Sequence, residues 1–235
     1  MIDIHTHILP EIDDGSKSVD QTLEMIEEAY LAGFTDIITT SHYIEDTYDI
    51  DKDDRDLLIE NIKPLIEQNI KLHNGAETYI SPDIVELYQN GTIPTLADSD
   101  YVLFELPMNS EVIYVENIIK NLKWHGYIPI IAHPERYGSV KRNINKVIEL
   151  TEMGALLQCN YGSFLGKYGD DALETVIKLL KKDKITFLGT DTHRPQSIYT
   201  EVDKAIKVIK KYSNNEIVEK LTTINPQMIL DNISI

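Results

Sequence analysis

Short apolar segments alternate along the chain with longer segments in which apolar residues recur at helical spacing. This alternation is typical of βα units, and it predicts a parallel sheet flanked by helices. The predicted strands are residues 2–7, 36–42, 70–78, 101–105, 128–133, 155–160 and 185–191. Seven strands approach the count of a closed barrel, so the pattern predicts an α/β barrel with parallel strands inside and helices outside.

Helical spacing predicts outer helices over residues 19–32, 54–68, 115–125, 144–153 and 171–182, with another near 201–211. Several of them are followed by a glycine, the residue that commonly closes a helix in the left-handed conformation. These glycines are Gly33, Gly126 and Gly154. Because no linker, low-complexity segment or sequence repeat divides the chain, we predict one domain over residues 1–235.

Composition restricts the partners and the compartment of the protein. With 39 acidic and 22 basic residues, the net charge is −17, which repels the phosphates of nucleic acids. The single cysteine, Cys159, allows no internal disulfide and suits a reducing compartment. The first residues lack the pattern of a signal peptide, and no run of 18 apolar residues predicts membrane insertion. We therefore expect a cytoplasmic protein that binds no nucleic acid.

Two histidines stand at the end of the first predicted strand. Side chains alternate across a strand, so His5 and His7 project to the same side, while Ile4 and Thr6 project to the other. Two imidazoles on one side can converge on a single cation. A His-x-His pair alone is a weak signal, so its meaning depends on the other strand ends.

Residue types that bind metals recur at the ends of nearly all the predicted strands. After the first strand they are His42, Glu77, Glu105, His133, Asp191 and His193. The carboxyl ends of parallel strands lie on one face of a barrel, so these side chains are predicted to meet there. Acidic strand ends can also cap helices, but for the set as a whole a metal site is favoured. His73 and His125 fall elsewhere and are interpreted as structural or surface residues.

The number and kinds of these residues constrain the metals. A single zinc site uses three or four protein ligands, so this larger set predicts two or three cations with bridging carboxylates. Mixed nitrogen and oxygen ligands suit manganese, iron or zinc better than calcium. In the loop after the first strand, Asp14 is either a further ligand or a turn and capping residue, and the local sequence favours neither.

Two arginines follow predicted ligands closely. Arg136 comes three residues after His133, and Arg194 comes directly after the last histidine of the set. A guanidinium recognises phosphate oxygens in a planar, bidentate manner, which favours a phosphorylated substrate.

Competing phosphatase and hydrolase schemes lack their motifs. A cysteine phosphatase needs an arginine that closes its phosphate loop, but Leu165 stands six residues after Cys159. Neither a Gly-x-Ser-x-Gly elbow nor a Gly-x-x-x-x-Gly-Lys-Ser/Thr loop is present. The sequence therefore favours metal-dependent chemistry.

A series of motifs runs in order through the chain: the opening DIHTHILPEIDDGS, then SHY, GAETY, FELP, AHPERY and GTDTH, and the closing NPQMILDN. Together they resemble the bacterial CpsB/CapC tyrosine-phosphatase family, which belongs to the polymerase and histidinol phosphatase (PHP) superfamily. The resemblance implies a distorted TIM-like (β/α)7 barrel with three divalent metal ions, commonly manganese. It also implies hydrolysis of phosphotyrosine on a partner tyrosine kinase that controls capsule or exopolysaccharide assembly.

The resemblance further implies how the ligands divide among the cations. His5, His7, Glu77 and Asp191 would hold one, Glu77, Glu105 and His133 a second, and Asp14, His42 and His193 a third. Arg136 matches the family pattern in its AHPER setting. Arg194 departs from that pattern, because the family usually places several residues between the last histidine and the following Arg-Pro.

From this resemblance we hypothesise that a hydroxide activated by two cations attacks phosphorus while Arg136 stabilises the phosphate oxygens. Tyr43, Tyr161 and Phe164 stand near strand ends and could frame the substrate ring, although each singly fits the core or the surface better. Two other functions stay open: a small-molecule phosphatase such as a histidinol-phosphate phosphatase, and a non-catalytic, metal-bound scaffold that binds the kinase.

Overall fold

The computed structural model describes residues 1–109 and 114–235 of the chain. Its strands are β1 (Ile2–Asp3), β2 (Asp36–Thr39), β3 (His42–Tyr43), β4 (Lys71–Asn74), β5 (Glu77–Tyr79), β6 (Tyr101–Glu105), β7 (Ile128–Ala132), β8 (Leu156–Asn160) and β9 (Phe187–Gly189). Every pairing between these strands is parallel. Their carboxyl ends therefore share one face, as the sequence predicts.

Two of the predicted strands are broken. Residues 36–42 form β2 and β3, and residues 70–78 contribute to β4 and β5, so the prediction of continuous strands is wrong. The sheet order is β1-β2-β4 in one part and β3-β5-β6-β7-β8-β9 in the other. The second break lies at Gly75, where a Cβ atom would come within 2.9 Å of the Ile38 side chain. The neighbouring strand approaches too closely there for a side chain, and the chain crosses from one part of the sheet to the other.

Hydrogen bonds join the last strand to the first. The amide of Asp191 donates to the carbonyl oxygen of His5 (2.8 Å), and the amide of His7 donates across the same seam (2.9 Å). The buried Asp3 carboxylate accepts from the amide (3.1 Å) and the hydroxyl (2.6 Å) of Thr190. When β2 is counted with β3 and β4 with β5, seven parallel strands follow one another in chain order. The predicted distorted TIM-like barrel is confirmed.

The outer helices are α1 (Val19–Leu31), α2 (Lys52–Ile62), α3 (Ile84–Gln89), α4 (Val115–Trp124), α5 (Gly138–Arg142), α6 (Asn145–Glu152), α7 (Asp170–Lys181), α8 (Val202–Tyr212), α9 (Asn215–Glu219) and α10 (Asn225–Leu230). The predicted helices are observed with shifted ends, and the second gives way early to a 3₁₀ turn at Lys63–Leu65. The sequence did not predict α3, α5, α9 and α10, because helices of five or six residues carry too little periodicity. None of the described helices has the length and hydropathy that a membrane span requires.

Apolar side chains pack in two layers around the strands. The inner layer comprises Ile2, Ile4, Ile38, Leu96, Tyr101, Leu103, Ile130, Ala132, Phe187 and Ile229. The outer layer lies between strands and helices and includes Ile37, Val102 and Ile131, each adjacent in sequence to an inner residue. Successive residues of β2, β6 and β7 thus point to opposite faces of the sheet.

A buried arginine ties a helix to the points where the two parts of the sheet meet. The Arg55 side chain of α2 is fully buried. Its guanidinium donates to the carbonyl oxygens of Ile50 (2.9 Å), Ser41 (2.9 Å), His42 (2.7 Å) and Gly75 (3.3 Å). Burial lowers the pKa of Arg55 to about 10, which leaves the side chain charged at neutral pH.

We expect Arg55→Met to lower the free energy of unfolding by about 2–4 kcal/mol, because buried carbonyl groups would lose their donor. Urea denaturation followed by circular dichroism measures this loss. The exposed Arg142 provides the control, since Arg142→Met is expected to change stability by no more than ~0.5 kcal/mol. Equal stability of the two variants would contradict the structural role of Arg55.

Candidate metal centre

The metal-binding residues predicted from the sequence meet at the carboxyl face of the barrel. His5 and His7 follow β1, Asp14 lies before α1, His42 begins β3, Glu77 begins β5, Glu105 ends β6, His133 follows β7, and Asp191 and His193 follow β9. Ligand atoms within 4.8 Å of one another form four overlapping groups: His7, Asp14, His42 and His193; His5, Glu77 and His133; His5, His7 and Asp191; His42, Glu77 and Glu105. These groups contain all nine predicted residues.

Hydrogen bonds behind His5 and His7 turn both imidazoles toward the centre. Nδ1 of His5 donates to Oε1 of Gln158 at 2.7 Å, and Nδ1 of His7 donates to Oδ2 of Asp13 at 2.8 Å. These contacts leave the two Nε2 atoms facing each other at 3.3 Å. Partners of this kind fix the tautomer and the orientation of imidazoles that bind metals.

The Glu77 carboxylate lies in the middle of the set and approaches four imidazoles. Its Oε1 is 2.7 Å from Nε2 of His133. Its Oε2 lies 3.2 Å from Nε2 of His5, 3.3 Å from Nε2 of His7 and 3.1 Å from Nδ1 of His42. A carboxylate that reaches several imidazoles through both oxygens has the placement of a bridging ligand.

Two further carboxylates flank Glu77. Glu105 places its oxygens 3.5 Å from Nδ1 of His42 and 3.9 Å from Nε2 of His133. Asp191 directs Oδ1 toward Nε2 of His7 at 3.4 Å, while its Oδ2 accepts from Nη1 of Arg136 at 2.6 Å. The Asp191 carboxylate therefore faces the histidines with one oxygen and the arginine with the other.

A more exposed group lies at the outer edge of the centre. Oδ1 of Asp14 is 3.4 Å from Nε2 of His193 and 3.8 Å from Nε2 of His42. The side chain that stabilises the turn in this loop is that of Asp13 and not that of Asp14, because Oδ1 of Asp13 accepts from the amide of Gly15 at 2.8 Å. Asp14 is left facing the histidines, and this placement supports a ligand role.

Three buried atoms of the set have no hydrogen-bond partner among the described residues, namely Oε2 of Glu77, Nδ1 of His42 and Nδ1 of His133. The first two are 3.1 Å apart, so an imidazole nitrogen and a carboxylate oxygen face each other without forming a hydrogen bond. A buried polar atom without a partner is costly, and a cation between such atoms would satisfy them. Imidazole nitrogens and carboxylate oxygens are also the ligands that divalent transition metals prefer, so the residues fit a metal centre.

The imidazoles and carboxylates of the set shift one another's pKa values. Burial alone would lower the pKa of His5, but the Glu77 and Asp191 carboxylates raise it to about 9. Burial and the neighbouring charge of Glu77 raise the pKa of Glu105 to about 8. Burial also opposes ionisation of Asp191, yet the positive charge of His5 holds the pKa of that carboxyl well below its usual range. Divalent cations neutralise crowded carboxylates of this kind.

The backbone at the strand ends is shaped for these side chains. His133 and Asp191 adopt left-handed conformations with φ of 31° and 52°, which residues with a Cβ seldom populate. Such conformations persist where surrounding contacts fix them, and they cluster at functional sites. A Cβ atom on Gly189 would lie 2.6 Å from that of His5, so only glycine permits this approach of β9 to the first ligand.

Sequence reasoning missed the carboxylate that orients two of the predicted ligands. Oδ2 of Asp13 accepts from Nδ1 of His7 and from the amide of His42, each at 2.8 Å. Because Asp13 and Asp14 are adjacent in one acidic loop, spacing alone cannot separate the orienting residue from the candidate ligand.

A buried glutamine on β8 was also missed. Oε1 of Gln158 accepts from Nδ1 of His5 at 2.7 Å and from the amide of His133 at 3.3 Å. Its Nε2 donates to Oδ1 of Asn160 at 2.9 Å. A signal existed in the sequence, since Gln158 and Asn160 repeat the two-residue spacing of polar side chains seen in the first strand.

The two arginines predicted to bind phosphate are placed differently. Arg136 ends the 3₁₀ turn Pro134–Arg136 and contacts Asp191, and its side chain is 26% exposed, so part of it faces the mouth of the barrel. Arg194 is exposed, and within the described residues no hydrogen bond or ion pair joins it to the nine metal-binding residues. The structure thus brings Arg136 to the centre and leaves Arg194 at its rim.

The remaining candidates from the sequence lie outside the centre. Tyr43, Tyr161 and Phe164 are buried in the outer core rather than exposed at the mouth. His73 pairs with an aspartate of β2, and His125 is exposed at the end of α4.

We expect Asp13→Asn to weaken metal binding about 10- to 100-fold, because the imidazole of His7 would lose the carboxylate that orients it. Titration of the metal-depleted protein against a chelating indicator measures this affinity. Asp20→Asn makes the same change at an exposed position of α1 and is expected to bind metal like the unsubstituted protein. Unchanged affinity in the Asp13 variant would show that this carboxylate does not support the centre.

Comparisons with known proteins agree with the geometry. The chain is 32% identical over 238 residues to the tyrosine-protein phosphatase YwqE of Bacillus subtilis, covering 100% of this chain and 93% of that protein. A solved structure from a study of YwqE and of CpsB from Streptococcus pneumoniae, which are metal-dependent tyrosine phosphatases, superposes with a TM-score of 0.95 at 28% identity. That alignment covers 100% of this chain and 96% of the other.

The fold also extends to more distant proteins. Histidinol phosphate phosphatase of Lactococcus lactis superposes with a TM-score of 0.60 at 18% identity over 90% of this chain and 93% of that one, a likeness of fold alone. The family model for capsular polysaccharide synthesis proteins, CpsB/CapC, matches residues 1–231. The chain therefore belongs to the CpsB/CapC family.

Proposed function

We propose that this chain is a metal-dependent protein-tyrosine phosphatase. The observation that carries the proposal is the juxtaposition of nine metal-binding residues with Arg136, which contacts Asp191 at 2.6 Å. Cations bound there would provide, together with the guanidinium, the electrostatic stabilisation on which phosphoryl transfer depends. The activity of YwqE and CpsB supports the same conclusion.

We propose a trinuclear centre, with manganese as the native metal and iron or zinc as alternatives. As the family resemblance implies, His5, His7, Glu77 and Asp191 would hold one cation, Glu77, Glu105 and His133 a second, and Asp14, His42 and His193 a third. When bound, the cations would stabilise charge on the phosphate oxygens and lower the pKa of water.

Residues of the chain would bind and orient the phosphate. Nη1 of Arg136 is engaged by Asp191, so its remaining N–H groups are available to an oxygen of the substrate phosphate. Asp191 in turn fixes the guanidinium relative to the buried ligands. The leaving group is a phenol with a pKa near 10, so its departure needs no strong general acid.

The proposed substrate is phosphotyrosine on a partner protein, namely a cognate bacterial tyrosine kinase. The match to the capsular polysaccharide synthesis family supports a setting in capsule or exopolysaccharide assembly. The net charge of −17 argues against a nucleic-acid partner. The single domain and the cytoplasmic location stay predictions from the sequence.

We expect the double variant His7→Ala with Asp191→Ala to lose hydrolysis of a phosphotyrosine peptide by on the order of 10³-fold or more, because cations supply several kcal/mol of charge stabilisation. Stringent chelation should abolish the activity, and manganese should restore it in the unsubstituted protein only. Phosphate release and metal content by elemental analysis measure both effects.

His125→Ala provides the control, since this histidine is exposed at the end of α4, away from the centre. Activity that survives chelation or the double substitution would rule out a metal-dependent mechanism. Faster turnover of histidinol phosphate than of the peptide would favour a small-molecule phosphatase. Bound metal without hydrolysis of any phosphomonoester would favour a scaffold.

We expect Arg136→Gln to lower kcat/KM for the peptide by about 10²- to 10³-fold, because the phosphate would lose a preorganised donor. Metal content should stay near that of the unsubstituted protein, since all nine proposed ligands remain. Steady-state kinetics and elemental analysis test this together, with Arg142→Gln as the exposed control. Unchanged kinetics would exclude Arg136 from phosphate binding, and Arg194→Gln tests in the same assay whether the rim arginine contributes.

A further inference from the structure

The guanidinium of Arg136 is held on two sides. Its Nη1 donates to Oδ2 of Asp191 at 2.6 Å, in the plane of the group. Its Cζ lies over the face of the Tyr168 ring, 4.5 Å from the ring centroid. An aromatic face attracts a cation without using any N–H group, so the ring constrains Arg136 and leaves its in-plane donors available.

The Tyr168 ring is itself firmly placed. It packs over Gly162, where a Cβ atom would come within 3.2 Å of the ring carbon Cε2. Its hydroxyl is 3.5 Å from Nδ2 of Asn160, and the same amide donates to Oδ2 of Asp191 at 2.7 Å. The tyrosine, the arginine and the aspartate therefore belong to one connected arrangement.

The segment that carries Tyr168 folds back on the preceding turn, where the amide of Lys167 donates to the carbonyl oxygen of Gly162 at 3.1 Å. It connects the 3₁₀ turn Tyr161–Leu165 to α7, with glycines in left-handed conformations at Gly166 (φ 72°) and Gly169 (φ 89°). The adjacent Lys167 forms an ion pair with Glu201 at the start of α8. Tyr168 is thus presented to Arg136 from a fixed loop.

We infer that Tyr168 is a positioning residue, whose ring holds the guanidinium of Arg136 at the angle in which its free N–H groups meet the substrate phosphate. The inference rests on the proposed role of Arg136 in phosphate binding. Asp191 alone fixes only one nitrogen of the guanidinium, about which the side chain could rotate. The ring removes that freedom, and the hydroxyl contributes little because its contact with Asn160 is long.

Two substitutions separate the ring from the hydroxyl. Tyr168→Leu removes the aromatic face, and we expect the inhibition constant of inorganic phosphate and the KM for the phosphotyrosine peptide to rise by about 3- to 30-fold. Tyr168→Phe keeps the face, and we expect it to stay within about 2-fold of the unsubstituted enzyme. Metal content and melting temperature, measured on the same preparations, report any loss of the centre or of the fold.

A matched control and a double variant make the test specific. The Tyr212 ring lies 5.2 Å from Nζ of Lys181, a comparable cation–π contact between α8 and α7, and Tyr212→Leu should not change phosphate inhibition. When Arg136 is already glutamine, adding Tyr168→Leu should have no further effect on phosphate inhibition, because Tyr168 acts through the arginine.

Three outcomes would overturn the inference. The first is unchanged phosphate inhibition in Tyr168→Leu, and the second is an equal loss of phosphate inhibition in Tyr168→Leu and Tyr168→Phe. The third is that Tyr168→Leu weakens phosphate inhibition as strongly in the Arg136→Gln background as in the unsubstituted protein. Failure of the unsubstituted protein to hydrolyse the peptide would instead overturn the proposed function. In that case, calorimetric binding of inorganic phosphate to the manganese-loaded protein still decides the role of Tyr168. Binding weakened in the Leu variant and kept in the Phe variant would support it.

Discussion

Attraction between buried carboxylates and imidazoles at the carboxyl face is the interaction on which the rest of the structure depends. Glu77 is fully buried, and an isolated carboxylate there would be very costly. It is tolerated because four imidazoles from three different parts of the sheet surround it. Residues distant in sequence converge on this carboxylate through three features of the backbone. These are the broken strands, the hydrogen-bonded junction between β9 and β1, and the left-handed conformations of His133 and Asp191.

The sequence was sufficient for the parts of the site that obey strand geometry. The alternation of side chains places His5 and His7 together, and the common direction of parallel strands brings His42, Glu77 and His133 to the same face. These inferences need only local periodicity and the rule that βα units build parallel sheets. The structure agrees with them although the strand bounds differ, because a kink changes the path of a strand without moving its carboxyl end to another face.

The features that the sequence did not predict arise from contacts between distant segments. The break at Gly75 depends on how closely β2 approaches, and the role of Arg55 depends on carbonyl groups in three different loops. Tyr168 meets Arg136 only because the loop before α7 folds over Gly162. Such pairings leave no periodic trace in one chain. Gln158 is the exception, because a polar residue in the middle of the apolar strand β8 is a local signal of a role at the site.

Asp191 links the buried centre to the mouth of the barrel. Its Oδ1 faces His5 and His7, whereas its Oδ2 accepts from Arg136 and Asn160. One rigid carboxylate therefore sets the distance between the metal-binding residues and the guanidinium proposed to hold the phosphate. Because both oxygens belong to one planar carboxylate, neither can move without displacing the other. The proposed positions of the metals and of the substrate phosphate therefore depend on each other, because a shift of the metal-binding residues would move Arg136 as well.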